Sequence, residues 1–267
     1  CEDKSAPALE KIHNKYYLRF SFTETVILSD TPIAEQIICA VDLGINTDAV
    51  CSIMKADGTI LARKFIDFTS DKDRMIHAMN RTRRKQSKYG PKSARGLWAY
   101  VKRLNEDRAK KISAAIVEFA SQHSVDAIVM EHLDFKGCKK RGSKAQRLSM
   151  WNHGIIRKKA EQKAHLLGIR IATICAWKTS ALAFDGSGSV TRDDNNHALA
   201  TFTTGKQYNC DLSASYNIGA RYFIRELLKS LPATEESRVK AKVPDAGRRT
   251  SCTLSTLRAL VKELSAA

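Results

Sequence analysis

The sequence lacks the features that mark membrane, secreted or disulfide-bonded proteins. No apolar run approaches the roughly 20 residues that a membrane-spanning helix needs, and no basic stretch followed by an apolar one suggests a secretory leader. The 7 cysteines are scattered and none forms a C-x-x-C pair, which argues against a disulfide framework and a common zinc ribbon. With only 5 prolines and 13 glycines, the chain is neither disordered nor fibrous. We therefore expect a reduced, cytoplasmic protein without a membrane partner.

Positive charge is abundant and is concentrated in two segments. The 267 residues include 45 Lys and Arg against 28 Asp and Glu, a formal net charge of +17. Residues 81–111 hold twelve basic and two acidic residues, and residues 136–163 hold ten basic and one acidic. Clustered Lys and Arg are suited to neutralising phosphates, although two solvated helix faces remain the alternative. The candidate nucleic-acid-binding residues in these segments are Arg81, Arg83, Arg84, Lys85, Lys88, Lys92, Arg95, Lys139, Lys140, Arg141, Lys144 and Arg147.

The apolar pattern predicts three meander strands followed by strands that alternate with helices. Extended segments are predicted over 16–28, 37–43, 49–54, 59–66, 125–133 and 169–175. Helices are predicted over 71–122 with a break at 89–91, over 145–167, 213–229 and 254–264, with mostly loop over 177–210 and a linker after residue 230. Asp57-Gly58 between two apolar runs indicates a hairpin. This order predicts the α/β class and an RNase H-like mixed five-stranded sheet flanked by helices.

Three acidic residues stand at the ends of predicted elements. Asp42 and Glu131 each end an apolar strand, and Asp211 stands at the start of a helix after a long loop. An acid in an apolar run is costly to bury unless it is paired or binds a cation. Carboxylate oxygens suit Mg²⁺, and two such ions about 4 Å apart can drive phosphodiester hydrolysis. The pattern therefore favours a metal-dependent nuclease with these three carboxylates as metal ligands and catalytic residues.

The residues around these acids resemble the three RuvC motifs of the TnpB family, which are transposon-encoded, RNA-guided DNA endonucleases related to the type V CRISPR effectors. The matching stretches are AVDLGIN at 40–46, IVMEHL at 128–133 and DLSASYNI at 211–218, and the similarity runs over about 37–228. The resemblance implies that Asp42, Glu131 and Asp211 form the catalytic triad and bind two Mg²⁺ or Mn²⁺ ions. It also implies a guide RNA and target DNA as partners, a role in transposition, and a nucleoid-associated location in a prokaryotic cytoplasm.

The resemblance also divides the chain. Residues 1–36 would be the end of an N-terminal recognition region, residues 37–229 the RuvC-like nuclease domain with a helical insertion over about 71–122, and residues 230–267 a C-terminal tail. Thr179-Ser180 matches the opening of the family's zinc-ribbon insertion at about 177–210, but residues 181–209 contain no cysteine. We therefore expect no zinc there, and packing through Phe184, Leu199, Phe202 and Tyr208 instead.

Two other functions are compatible with parts of this pattern. A nuclease-inactive RNA- or DNA-binding protein, such as a repressor or a remnant, would use the basic segments but has no need to keep three acids. A sugar-kinase or actin-like ATPase is suggested by VDLGINT at 41–47, which resembles the first phosphate loop of that superfamily. The net charge, and the lack of a second glycine-rich loop after Glu131, count against the ATPase.

Overall fold

The structure is a computed structural model that describes residues 2–4, 6–12, 14–133, 150–194 and 196–266. Its N-terminal part forms two small antiparallel strand pairs. Strand β1 (Glu2–Lys4) pairs with β4 (Phe22–Thr23), and β2 (Ala8–Ile12) pairs with β3 (Lys15–Arg19). The extended stretch predicted over 16–28 is therefore wrong in its second half, because residues 24–28 have no strand partner in the described structure.

The first half of the main sheet is an antiparallel meander. Its strands are β5 (Ile37–Asp42), β6 (Ala49–Lys55) and β7 (Ile60–Ile66). The turn between β6 and β7 is closed by hydrogen bonds from Lys55 N to Thr59 O (3.0 Å) and from Gly58 N to Lys55 O (3.0 Å). Gly58 takes a φ of 80°, which glycine adopts without steric cost. The predicted hairpin is confirmed.

Two parallel strands complete the sheet. Strand β8 (Ala127–His132) lies parallel to β5, and β9 (Arg170–Cys175) lies parallel to β8. The resulting order is β7-β6-β5-β8-β9, with β5 in the centre. The prediction of a mixed five-stranded sheet is confirmed.

Helices make the crossovers between the parallel strands. Between β7 and β8 stand α1 (Thr69–Tyr89), a 3-10 turn (Pro91–Ala94) and α2 (Arg95–Gln122), and between β8 and β9 stands α3 (His153–Leu166). The predicted break falls where Gly90 takes a φ of 85°, so it is confirmed. The helix predicted over 145–167 begins at His153, and residues 145–149 lie outside the described residues.

Alternate residues of the central strand face two separate cores. Ile38 and Ala40 of β5 pack in the core beneath the long helix Cys210–Ser230, whereas Cys39 and Val41 pack in the core beneath α2 and α3. All four are fully buried. Successive side chains of a strand point to opposite faces, so this alternation fixes the face on which the next residue, Asp42, lies.

The segment between β9 and the next long helix contains a small sheet, so the prediction of mostly loop is wrong in part. Strands β10 (Thr191–Arg192), β11 (Leu199–Thr201) and β12 (Gln207–Asn209) form an antiparallel meander. The ring of Phe184 lies 5.5 Å from that of Phe202 and 5.0 Å from that of Tyr208, between centroids. These rings supply the expected packing. Strands of two or three residues are too short for an alternating pattern to be visible in the sequence.

The C-terminal part contains the two helices predicted over 213–229 and 254–264, and a further helix and 3-10 turn stand between them where a linker is predicted. Its helices are α4 (Cys210–Ser230), α5 (Ala233–Lys242), a 3-10 turn (Pro244–Gly247) and α6 (Leu254–Ser265). Helix α5 buries only Val239, so its sequence shows no apolar period. Helix α6 packs in the same core as α4 through Leu254, Leu257 and Leu260, which are at most 1% exposed. Within the described residues, no helix combines the length and apolar character that crossing a membrane requires.

Candidate active site

Two of the three acids predicted from the sequence stand side by side at the ends of neighbouring parallel strands. Val41 of β5 is in register with Met130 of β8, so Asp42 and Glu131 are the next residues on each strand. Val41 and Met130 both pack in the core beneath α2 and α3. Because side chains alternate along a strand, Asp42 and Glu131 are both directed to the opposite face, where α4 lies.

The third acid, Asp211, lies in the first turn of α4. This helix begins three residues before the predicted start because the side chain of Asn209 accepts a hydrogen bond from Leu212 N (2.9 Å) and caps it. Gly219 lets the helix approach the sheet closely, since a Cβ at this position would lie 3.2 Å from the Cβ of Ala40 and 3.0 Å from the Sδ of Met54. The start of α4 is thereby brought to the ends of β5 and β8.

The three acids line one pocket of about 330 Å³. Its wall also contains the loop between β5 and β6, the start of the segment after β9, and part of the small sheet. Besides the acids, the wall contains one glycine and several polar side chains: Gly44, Asn46, Thr47, Thr179, Ser180, Arg192 and His197.

The electrostatic environment of Asp42 includes the charges of the other two acids. Burial raises the pKa of Asp42 well above its usual value, and the charges of Glu131 and Asp211 raise it further. The positive charge of Arg192 acts in the opposite direction. Like charges that share a site disfavour ionisation, so the site holds its negative charge at a cost that a bound cation would relieve.

Glu131 and Asp211 are each held by a hydroxyl group. Burial raises the pKa of Glu131, while a hydrogen bond from Thr179 Oγ1 to its Oε1 and the charge of Arg221 lower it. Burial likewise raises the pKa of Asp211, against the charge of Arg192 and a hydrogen bond with the Thr47 side chain. Both hydroxyls favour the ionised form that a metal ion requires.

The loop after Asp42 has little room for change. A Cβ at Gly44 would lie 2.4 Å from the carbonyl oxygen of Thr47, a separation that main-chain atoms could avoid only by moving. The glycine therefore allows the tight loop that carries the Thr47 hydroxyl to Asp211.

The same loop is tied to the helical insertion through Asp48. Asp48 is 1% exposed, accepts a hydrogen bond from Phe68 N (2.9 Å), and forms ion pairs with Lys72 of α1 and Arg108 of α2. Lys72 also donates a hydrogen bond to the carbonyl oxygen of Asn46 in the loop. Lys72 and Arg108 of the helical insertion therefore have a structural role in holding this loop.

The donor chemistry of the site fits a hard divalent ion, although the three acids are not close enough together to bind one as placed. Three carboxylates in one polar pocket are the oxygen ligands that Mg²⁺ and Mn²⁺ prefer. Within the described part of the chain, however, no three His, Cys, Asp or Glu side chains stand close enough to hold a metal ion as placed. Metal binding by Asp42, Glu131 and Asp211 stays a prediction.

The candidate nucleic-acid-binding residues fall into two groups. The described ones are all exposed and lie on the second half of α1 and just after it: Arg81, Arg83, Arg84, Lys85, Lys88, Lys92 and Arg95. The others, Lys139, Lys140, Arg141, Lys144 and Arg147, lie outside the described residues. Contact with nucleic acid stays a prediction for both groups.

Three residues of the site were missed by the sequence analysis as functional candidates. Arg192 lies on β10 in a segment predicted to be mostly loop, and no motif marked it. Thr47 lies next to a quoted motif, and Thr179 was noted only as part of a dipeptide match. The available signal for the two threonines would have been a hydroxyl residue a few positions from a motif. Serine and threonine are too common in the sequence for such a position to indicate function without the fold.

Comparisons with known proteins agree with this architecture. No protein-family model matches the sequence, and the search of curated proteins gave no match. Among solved structures, one described as "Cryo-EM structure of the Cas12f1-sgRNA-target DNA complex" matches with a TM-score of 0.52 at 18% identity, over 79% of this chain and 54% of that one. Another, "Crystal structure of AacC2c1-sgRNA binary complex", matches with a TM-score of 0.52 at 11% identity, over 71% and 39%.

The fold is RNase H-like. The fold class predicted from the strand order is therefore confirmed. At these identities the likeness establishes the fold alone. The chain spans about half the length of the first of these proteins.

Proposed function

We propose that this chain is the nuclease part of an RNA-guided DNA endonuclease of the TnpB type. The observation that carries the proposal is the convergence of Asp42, Glu131 and Asp211 on one pocket from β5, β8 and α4. The RNase H-like fold, and the resemblance of the residues around these three acids to RuvC motifs, support it. On this proposal residues 37–229 are the nuclease domain, preceded by the end of a recognition region, and the protein acts on a prokaryotic nucleoid in transposition.

The chemistry proposed for the pocket is hydrolysis of a phosphodiester. Two Mg²⁺ or Mn²⁺ ions would supply activation of the attacking water and stabilisation of the leaving oxygen. Asp42, Glu131 and Asp211 would hold these ions through carboxylate oxygens, while Thr179 and Thr47 fix two of the carboxylates by hydrogen bonds. Arg192 faces the same carboxylates and would offer a positive charge to a phosphate entering the pocket.

The substrate and partners follow from the charge and from the resemblance. Seven exposed basic side chains between Arg81 and Arg95 form a surface on which several phosphates can be neutralised at once. The two similar solved structures contain a single guide RNA, and one of them also contains target DNA. We therefore propose guide RNA and target DNA as the partners of this surface and of the basic segment at 139–147.

Cleavage by the purified chain tests the enzymatic part of this proposal. Labelled single-stranded and duplex DNA should be cut in the presence of Mg²⁺ or Mn²⁺ and left intact in EDTA. Asp42→Asn and Glu131→Gln should abolish cutting without weakening DNA binding, because these residues act on the reacting phosphate and not on the basic surface. Asp194→Asn is the matched control, since Asp194 is an exposed acid of the small-sheet segment.

The same experiment separates the nuclease from an inactive binding protein. Salt-sensitive DNA binding without metal-dependent cutting would favour the repressor or remnant. Cutting that persists in both variants would reject the assignment of the site. Sequencing of the nucleic acid that co-purifies with the chain tests the guided mode, because a discrete RNA is expected from a guided nuclease and a mixture from a general polyanion binder.

A further inference from the structure

Asn217, on the second turn of α4, joins two distant segments to the helix. The residue is fully buried. Its Nδ2 donates hydrogen bonds to the carbonyl oxygens of Thr179 (3.0 Å) and Leu182 (2.9 Å), and its Oδ1 accepts one from Leu254 N (3.3 Å). Both amide hydrogens and the amide oxygen are in use, so Asn217 satisfies main-chain groups that would otherwise be buried without partners.

Arg221, one turn further along α4, joins the same two segments again. Only 5% of the residue is exposed. Its Nη1 donates to the carbonyl oxygens of Cys175 (2.9 Å) and Trp177 (2.7 Å), its Nε to that of Cys252 (3.2 Å) and its Nη2 to that of Thr250 (3.0 Å). A buried cation is costly, and here it is solvated by main-chain carbonyls on both sides. The planar, forked guanidinium suits such a bridge, whereas a lysine could not span it.

The segment that these two residues hold carries the hydroxyl that contacts Glu131. Thr179 is 3% exposed, and its Oγ1 donates a hydrogen bond to Glu131 Oε1. A continuous set of contacts therefore runs from the Asn217 side chain to the main chain of Thr179, and from the Thr179 hydroxyl to the carboxylate. Helix α4 already carries Asp211 in its first turn.

We propose that Asn217 and Arg221 are positioning residues for Glu131, which they orient through Thr179. In this arrangement α4 determines the positions of two of the three acids. It carries Asp211 itself, and it orients Glu131 through the segment from Cys175 to Leu182. The inference rests on the proposed function, because it treats Glu131 as a ligand of a divalent ion. Residues that hydrogen-bond to a metal ligand, and so orient it, contribute about 10- to 100-fold to metal affinity or activity.

The test measures binding of Mn²⁺ apart from cleavage. The full chain is titrated with Mn²⁺ and its Tm is measured at each concentration. The midpoint, which is the Mn²⁺ concentration that gives half of the maximal rise in Tm, is recorded for each variant. Thr179→Val, which replaces the hydroxyl with a methyl group, should raise the midpoint by about 10- to 100-fold, and Thr179→Ser should restore it. Ser215→Ala is the matched control, because Ser215 is also fully buried on α4 but donates only to Leu212 O within the helix.

A double-mutant cycle then distinguishes positioning from a general structural role. If Asn217 acts through Thr179, Asn217→Ala raises the midpoint, and the double variant Asn217→Ala/Thr179→Val raises it no further than the larger of the two single changes. Arg221→Lys, combined with Thr179→Val, provides the same cycle if Asn217→Ala does not fold.

Three results would overturn the proposal: an unchanged midpoint in Thr179→Val, fold-changes that multiply in the double variants, or a wild-type chain that Mn²⁺ does not stabilise. A wild-type chain that follows the expected Mn²⁺ pattern but cuts no DNA would reject the proposed function and leave the positioning role in place.

Discussion

Replacing Asp42 with asparagine should make the metal-free protein more stable at neutral and alkaline pH. Burial and the charges of Glu131 and Asp211 raise the pKa of Asp42 well above its ordinary value of 3.8. The folded state therefore holds this proton more tightly than the unfolded state does. As pH rises from that ordinary value through the raised one, the wild type loses stability. Asparagine has nearly the same shape and carries no charge, so the variant avoids this loss.

The size of the effect depends on how far the folded state raises the pKa of Asp42. One pKa unit corresponds to about 1.4 kcal/mol, and about 1 kcal/mol moves the Tm of a chain of this size by roughly 2–4 °C. We therefore expect the Tm of Asp42→Asn to exceed that of the wild type at pH 8 in EDTA, by about 3 °C for each unit by which the pKa of Asp42 is raised. The difference should shrink as the pH is lowered, because the wild-type carboxyl then takes up its proton.

Thermal denaturation across pH 5 to 8, with and without Mg²⁺, checks this reasoning. A divalent ion at 100 times its Kd stabilises the state that binds it by about 2.7 kcal/mol, so Mg²⁺ should raise the Tm of the wild type and leave that of Asp42→Asn almost unchanged. Asp194→Asn should behave as the wild type throughout. A variant that is less stable than the wild type at every pH, or a difference that does not vary with pH, would refute the electrostatic account of the pocket.

Three further substitutions test other parts of the structure. Gly44→Ala should lower the cleavage rate by about tenfold or more with DNA affinity retained, because its Cβ forces the carbonyl of Thr47 to move; unchanged single-turnover rates would contradict this. Leu257→Ala should cost about 2–5 kcal/mol in urea unfolding, since Leu257 is fully buried beneath α4; a loss below 1 kcal/mol would mean that α6 is not part of the core. Arg84→Ala/Lys88→Ala should weaken DNA binding and reduce its salt slope by about 2, and an unaltered slope would remove this face of α1 from the interface.

The main sheet and the placement of the acids could be predicted because local signals agreed with the fold. The apolar runs that end at Asp42 and Glu131 are long enough to identify buried strands, and parallel pairing then brings their ends together. The turn at Asp57-Gly58 and the break at Gly90 are marked by residues whose backbone conformation differs from that of their neighbours. In each case the information lies within a few residues of the element that it defines.

The parts that could not be predicted depend on contacts between distant residues. The small sheet is held by the packing of Phe184, Phe202 and Tyr208, and its strands are too short to show a pattern. Helix α5 buries a single side chain. The roles of Arg192 and Asn217 depend on partners in other elements, so neither the spacing nor the local composition reveals them.

The ion pairs of Asp48 join the helical insertion to the loop between β5 and β6, which lines the pocket. Lys72 and Arg108 come from separate helices, yet both meet this one carboxylate beside the loop that follows Asp42. The two helices and the loop therefore share one buried ion-pair cluster. A substitution at Asp48 would leave Lys72 and Arg108 without this shared partner, and would disturb α1, α2 and the loop next to the acids together.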